Sequence, residues 1–213
     1  MVLRKLMGVL MVALVVCVAS MAAANVPDLG LSTAVSATPG QTLSLYNLPD
    51  GGGNAFTAAY ILGGGGQVDG TITVTLKDGL GANIVNYPFE DLTLACDDGL
   101  GQAMVPCVGG ASADGNTDAF GQTTFSFAMN AGGWAAANTE VLVAGAALTS
   151  GGVALQMNSP DINGNGTVEL SDVSIFSSTF YGSYSYGADF NADGLVALSD
   201  VALLAAGVGS ACP

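Results

Sequence analysis

The segment Asp161-Ile162-Asn163-Gly164-Asn165-Gly166-Thr167-Val168-Glu169-Leu170-Ser171-Asp172 carries oxygen-bearing side chains at its positions 1, 3, 5, 9 and 12. Gly166 stands at position 6, where a chain that wraps its own oxygens round one point must turn sharply. Asp189-Phe190-Asn191-Ala192-Asp193-Gly194-Leu195-Val196-Ala197-Leu198-Ser199-Asp200 repeats the pattern 28 residues later, and eight aligned positions are identical between Asp161/Asp189 and Val173/Val201. The chemistry implied is coordination of a hard cation. Calcium takes about six to eight oxygens at roughly 2.3–2.6 Å, and a loop of this length delivers them around one ion. Side chains at positions 1, 3, 5 and 12 contribute, with a backbone carbonyl at 7 and often a water at 9. On that plan Asp161, Asn163, Asn165, the Thr167 carbonyl, Glu169 and Asp172 hold a first calcium ion. Asp189, Asn191, Asp193, the Leu195 carbonyl and Asp200 hold a second. Ala197, at position 9 of the second loop, leaves room for water alone. Each loop groups three carboxylates, which repel one another until a divalent ion arrives. The alternative is a pair of Asp/Asn-rich turns without metal.

Other chemistry finds little material. The chain has no histidine, which removes Ser-His-Asp and Cys-His nucleophiles and every zinc site that needs imidazole. Beyond Arg4 there is no arginine to clamp a transferring phosphoryl group. The Gly51–Gly53 and Gly63–Gly66 runs are not followed by Gly-Lys-Ser/Thr and read as turns. A carboxylate pair could in principle serve a glycosidase. The candidates Glu90 with Asp91 and Asp97 with Asp98 are sequence neighbours, however, and neighbours on a strand point to opposite faces. The expectation is a protein that is not an enzyme.

Two kinds of element must position the loops. After each loop apolar residues recur at helical spacing, Val173, Phe176 and Phe180 in the first copy and Val201, Leu204 and Ala205 in the second. Each loop is thus expected to open one short helix, with no helix before it. Residues 25–157 read differently. Ile72, Val74 and Leu76 alternate with threonines before an Asp78-Gly79 turn, and Asp91–Cys96, Thr123–Met129, Glu140–Val143 and Gly152–Met157 are further strand candidates. Phe125 and Phe127 are expected on one face. Short strands broken by Asp-Gly and Gly-Gly turns predict an antiparallel all-β sandwich. Pro160 marks the seam, giving a β-domain over 25–157 and a loop-and-helix domain over 158–213.

The doubled half-motif, one 12-residue loop followed by one helix, resembles a type I dockerin across residues 160–208. Asp172 and Asp200, in place of the glutamate that ends an ordinary EF-hand loop, agree with that resemblance. It implies an EF-hand-like module that docks in a calcium-dependent way onto a cohesin-like protein domain or another extracellular protein, often within polysaccharide-degrading assemblies. Partner recognition would rest on loop positions 10 and 11, here Leu170, Ser171, Leu198 and Ser199, although the two leucines could equally be core. Tyr181, Tyr184 and Tyr186 could form a contact surface or cover the core. In the β-region, Val74-Thr75-Leu76-Lys77-Asp78-Gly79-Leu80-Gly81 and Thr117-Asp118-Ala119-Phe120-Gly121-Gln122-Thr123-Thr124-Phe125 resemble the bacterial Ig-like domains of the invasin and intimin type. That resemblance covers residues 68–130 and implies a structural or adhesive role. A carbohydrate-binding role is the alternative, with Trp134 the single tryptophan.

Arg4 and Lys5, the apolar run Leu6–Val18 and the small residues Ala19–Ala24 predict a secretory signal over 1–24, cleaved after Ala24. Beyond it one lysine, Lys77, stands against 17 acidic residues, a balance of −16. Such a chain has almost nothing with which to contact phosphates, so nucleic acid is not an expected partner. Anionic lipid surfaces would repel it, and no stable membrane insertion is expected once the signal is removed. A secreted or cell-surface location favours disulfides. The economical pairing is Cys96 with Cys107, which leaves Cys212 as a free thiol on a frayed tail or as an intermolecular link. The segment 158–213 is small enough to need its metal. It is expected to be disordered without calcium and folded with it.

Overall fold

A computed structural model describes residues 26–64 and 66–213. The expected signal over 1–24 lies outside the described residues. Twelve strands and two α-helices follow in order among these residues. The alternation of Ile72 and Val74 with threonines becomes β5 (Ile72–Thr75), whose apolar residues are buried and whose threonines are half-exposed. It is the centre of a sheet with β1 (Thr33–Ser36) on one side and β8 (Gln122–Phe125) on the other. The strands β6 (Leu92–Ala95), β10 (Glu140–Val143) and β11 (Ala146–Ala147) form a second antiparallel sheet. A third contains β2 (Leu43–Tyr46), β3 (Ala59–Ile61), β4 (Gln67–Val68) and β12 (Leu155–Asn158), with β12 running parallel to β2. The last pair joins β7 (Met104–Pro106) to β9 (Ala131–Gly133). Inward residues of all these sheets, including Leu43, Ile72, Leu92, Phe125, Val141 and Leu155, meet in one core. Among the described residues the chain is mostly β, folded as a sandwich, with the two α-helices in its C-terminal quarter.

One strand carries two cores. All four residues of β2 are buried. Leu43 and Leu45 point into the sandwich core, whereas Tyr46 belongs to a second cluster with Leu48, Ile162, Val168, Phe176, Ala188, Phe190 and Leu204. Trp134 and Tyr60 pack against that second cluster too. The helices α1 (Leu170–Phe180) and α2 (Leu198–Gly207) are therefore seated on the sandwich rather than on each other alone. The seam expected at residues 157 and 158 falls inside β12, and the Asn158 amide nitrogen donates to the Tyr186 and Asp189 carbonyls at 2.6 and 2.8 Å.

Three expectations are corrected. The disulfide joins Cys107 to Cys212, not to Cys96, with Cα atoms 5.5 Å apart. The inward alternation of Leu92 and Leu94 continues to Cys96, so its thiol lies in the sandwich core and donates to the Ala137 carbonyl at 3.3 Å. Burial pushes that thiol above its ordinary pKa. Cys107 instead lies beyond β7 and meets the C-terminal tail, which is docked rather than frayed. Second, β8 ends at Phe125, so Phe125 is buried while Phe127 is 69% exposed. Third, α2 turns Leu203, Leu204 and Gly207 inward, leaving Val201 and Ala205 exposed. Gly207 causes this: a β-carbon there would stand 2.8 Å from Leu48 and 3.0 Å from Pro160, so the helix approaches through its glycine.

Candidate metal centre

The two 12-residue loops fold alike. Asp161 takes the Asn165 N–H at 3.1 Å on one carboxylate oxygen and the Gly166 N–H at 2.8 Å on the other. Asp189 takes the N–H groups of Asp193 and Gly194 at 3.1 and 2.9 Å in the same way. Gly166 and Gly194 make the sharp turn at φ 89° and 90°, a conformation that glycine adopts without a steric penalty. At position 12, Asp172 accepts from the Asn163 and Glu169 amides at 3.1 and 3.0 Å. Asp200 accepts from Phe190 at 2.8 Å and from Ala197 at 2.9 Å. The bonds to Glu169 and Ala197 satisfy an amide at the start of each following helix, so the last loop residue also caps the helix it opens.

Side chains at positions 3 and 5 complete the wrap. Asn163 Oδ1 accepts the Asn165 N–H, and Asn165 Oδ1 accepts the Thr167 N–H at 3.0 Å. In the second loop Asn191 Oδ1 and Asp193 Oδ1 do the same for Asp193 and Leu195. Glu169 is turned towards the Asn165 amide and the Ser171 hydroxyl, each at 3.1 Å. Among the described residues no three acidic side chains gather as a metal-binding group. Each loop instead brings two buried carboxylates together with amide and carbonyl oxygens around them.

That donor set fits calcium on electrostatic grounds. Asp161, Asp172, Asp189 and Asp200 are all fully buried. Burial first, and repulsion from Asp172, hold the Asp161 carboxyl above the usual range. Burial does the same to Asp189, with Asp200 and Asp193 adding to it. Buried charges need an opposite charge or a metal, and the one basic side chain beyond Lys5 is Lys77, which follows β5. A divalent ion held by Asp161, Asn163, Asn165, Thr167, Glu169 and Asp172, and a second held by Asp189, Asn191, Asp193, Leu195 and Asp200, would supply that charge.

The four residues at loop positions 10 and 11 all face solvent. Leu170 is 81% exposed and Leu198 is 77% exposed, and Ser171 and Ser199 are exposed beside them. The core alternative for the two leucines therefore falls. The tyrosines divide: Tyr186 is buried and shares a 2.7 Å hydrogen bond with Ser44, Tyr181 is exposed, and the Tyr184 hydroxyl donates to Asp189 Oδ2 at 2.9 Å. Sequence reasoning did not find Tyr184 as a neighbour of the site, since the four residues between it and Asp189, three of them a 3-10 turn at Tyr186–Ala188, carry no spacing rule. Nor did it find Gly132 and Gly133, which seat the first loop. Gly133 N–H donates to the Asp161 carbonyl at 2.8 Å, and a β-carbon on Gly132 would collide with the Asp161 carboxylate.

No helix among the described residues is long and apolar enough to cross a membrane. No protein-family model and no curated protein matches this chain. A search of solved structures finds a likeness to the crystal structure of the Lin-41 filamin domain, at 11% identity and a TM-score of 0.30, over 62% of this chain and 95% of that one. So slight a likeness carries no argument here, and the sandwich rests on its own strand pairing.

Proposed function

We propose that this is a secreted, non-catalytic calcium-binding protein that docks another extracellular protein through its C-terminal loops and helices. The observation that supports it best is the pair of loops in matching conformation, each burying two aspartates with no ion pair to a cationic side chain among the described residues. Two calcium ions would bind there. The dockerin-like reading adds a partner, a cohesin-like domain, contacted through Leu170, Ser171, Leu198 and Ser199. Their exposure supports that assignment, because large apolar side chains raised on charged loops have no role in the chain's own core. The β-sandwich would serve as an Ig-like structural or adhesive unit. A carbohydrate-targeting role for the sandwich is less favoured, since Trp134 is spent on the second core, with Gly187 against its ring.

Calorimetric titration of calcium into the EDTA-stripped chain beginning at Asn25 tests the reading. Two ions per chain are expected, and Asp161→Ala combined with Asp189→Ala should abolish both. Failure of the unaltered chain to bind would overturn the calcium role and the docking role that depends on it.

A further inference from the structure

The two loops are near copies in sequence but differ in what holds them. The first half of loop 161–172 rests on β7 and β9, through the Gly133 bond to the Asp161 carbonyl and through Val105, against which Gly164 lies. Its second half is gripped by the C-terminal tail. The Gly209 N–H donates to the Val168 carbonyl, the Val168 N–H to the Ser210 carbonyl and the Cys212 N–H to the Gly166 carbonyl, each at 2.9 Å. Thr167 and Ala211 form an antiparallel bridge between them. A β-carbon at Gly166 would stand 3.2 Å from the Cys212 sulfur. The tail is anchored in turn to the sandwich, by the Asp50 N–H donating to Ser210 Oγ at 3.1 Å and by the bond from Cys212 to Cys107. At loop 189–200 the equivalent glycine, Gly194, has nothing within 4 Å of where a β-carbon would stand.

We propose, resting on the calcium reading above, that the Cys107–Cys212 disulfide is a redox-sensitive clamp on the first calcium loop alone. Closed, it holds residues 209–212 along loop positions 6 to 8 and fixes the Thr167 carbonyl where a calcium ligand is needed. Opened, it frees that strip, and the first loop loses the wall that orders its second half. The second loop has no such wall to lose. The step needs a dithiol reductant. One thiolate of the dithiol attacks Cys212 or Cys107, a mixed disulfide forms, and the second thiol resolves it. The two cysteines take up two electrons and two protons as thiols, while the dithiol leaves as a cyclic disulfide. Cys212 is exposed, so the attack has a path.

Single-loop variants separate the sites. Asp189→Ala leaves the first loop to be titrated and Asp161→Ala leaves the second, each in the chain beginning at Asn25. Calcium calorimetry is run on the oxidised forms and after dithiothreitol treatment with iodoacetamide capping. Reduction should weaken calcium binding to Asp189→Ala by about tenfold or more and leave Asp161→Ala unchanged. Cys212→Ser placed in Asp189→Ala should reproduce the reduced value without reagents. If that variant does not fold, the reduced chain decides. Unchanged binding in both, or equal weakening in both, would overturn the clamp while leaving two calcium sites standing. An oxidised, unsubstituted chain that binds no calcium would remove the calcium reading as well.

Discussion

At the scale of single residues the first loop depends on a group that is not in it. Asp161 is fully buried because β9 offers it a surface with no side chain, at Gly132. Its carboxylate is thereby stripped of water on one side and left with two loop amides on the other. Gly132→Ala should drive the carboxylate out of that position. Overpacking of a closely fitted site costs about 1–3 kcal/mol, so the urea midpoint should fall and the slope should not change. The calcium titration should lose the first site and keep the second. Unaltered stability with two intact sites would show that the Asp161 carboxylate does not lie against β9. A similar economy holds at position 4 of the loops, where Gly164 and Ala192 both take positive φ, 67° and 55°. Alanine bears a cost there of roughly 1 kcal/mol, which the buried seat of Ala192 and its carbonyl bond from the Gly63 N–H offset.

At the scale of elements, α1 shows how a helix can be divided between core and outer surface. Phe176 is 4% exposed and stacks on Phe190 with ring centroids 5.7 Å apart, while Leu170 at the start of the same helix is 81% exposed. Phe176→Ala should therefore destabilise the chain by about 3–5 kcal/mol in thermal or urea unfolding, as large-to-small changes in cores do. Leu170→Ala and Leu198→Ala together should move stability by less than about 0.5 kcal/mol each and act on partner binding alone. A large stability loss from the leucines would place them in a packed interface within the chain. The helices and loops were legible because their signals are local: a fixed 12-residue spacing, a required glycine and a 3.6-residue period. Strands β5, β6 and β10 were legible for the same reason, through alternation that matches one buried face. Strand β2 was not, because the alternation Leu-Ser-Leu-Tyr runs for only four residues and Ser44 and Tyr46, on its second face, are buried like the leucines. The inward face of α2 was misread since Gly207, which has no side chain to count in a pattern, decides which way that helix turns. The Cys107 pairing depends on the approach of mid-chain and C-terminal segments 105 residues apart, which no spacing rule reports.

At the scale of the whole molecule, the C-terminal segment does not own the core it folds on. Tyr46 and Leu48 from the sandwich stand among Ile162, Phe176, Phe190 and Leu204, and Trp134 closes one side. Polar ties cross the same boundary: Ser44 with Tyr186, the Tyr46 hydroxyl donating to the Leu203 carbonyl at 2.9 Å, and Asn158 to the turn before the second loop. The disulfide adds a covalent tie whose loop of about 100 residues stabilises by roughly 4–5 kcal/mol in the chain-entropy account. These contacts change the expectation that calcium alone folds the segment. Residues 158–213 made alone lose the aromatic wall, the disulfide partner and the strand that seats Asp161. Metal binding would then have to order the chain and also leave Phe176, Phe190 and Leu204 partly in water, so their burial would not repay the ordering entropy. The isolated segment is therefore expected to stay largely unfolded by far-UV circular dichroism even in millimolar calcium. The chain beginning at Asn25 should keep its β-signal in EDTA and melt at a higher temperature when calcium is restored, because an ion bound only to the folded state stabilises it by mass action. A fully helical, cooperative isolated segment in calcium would mean that the second core closes without Tyr46, Leu48 and Trp134.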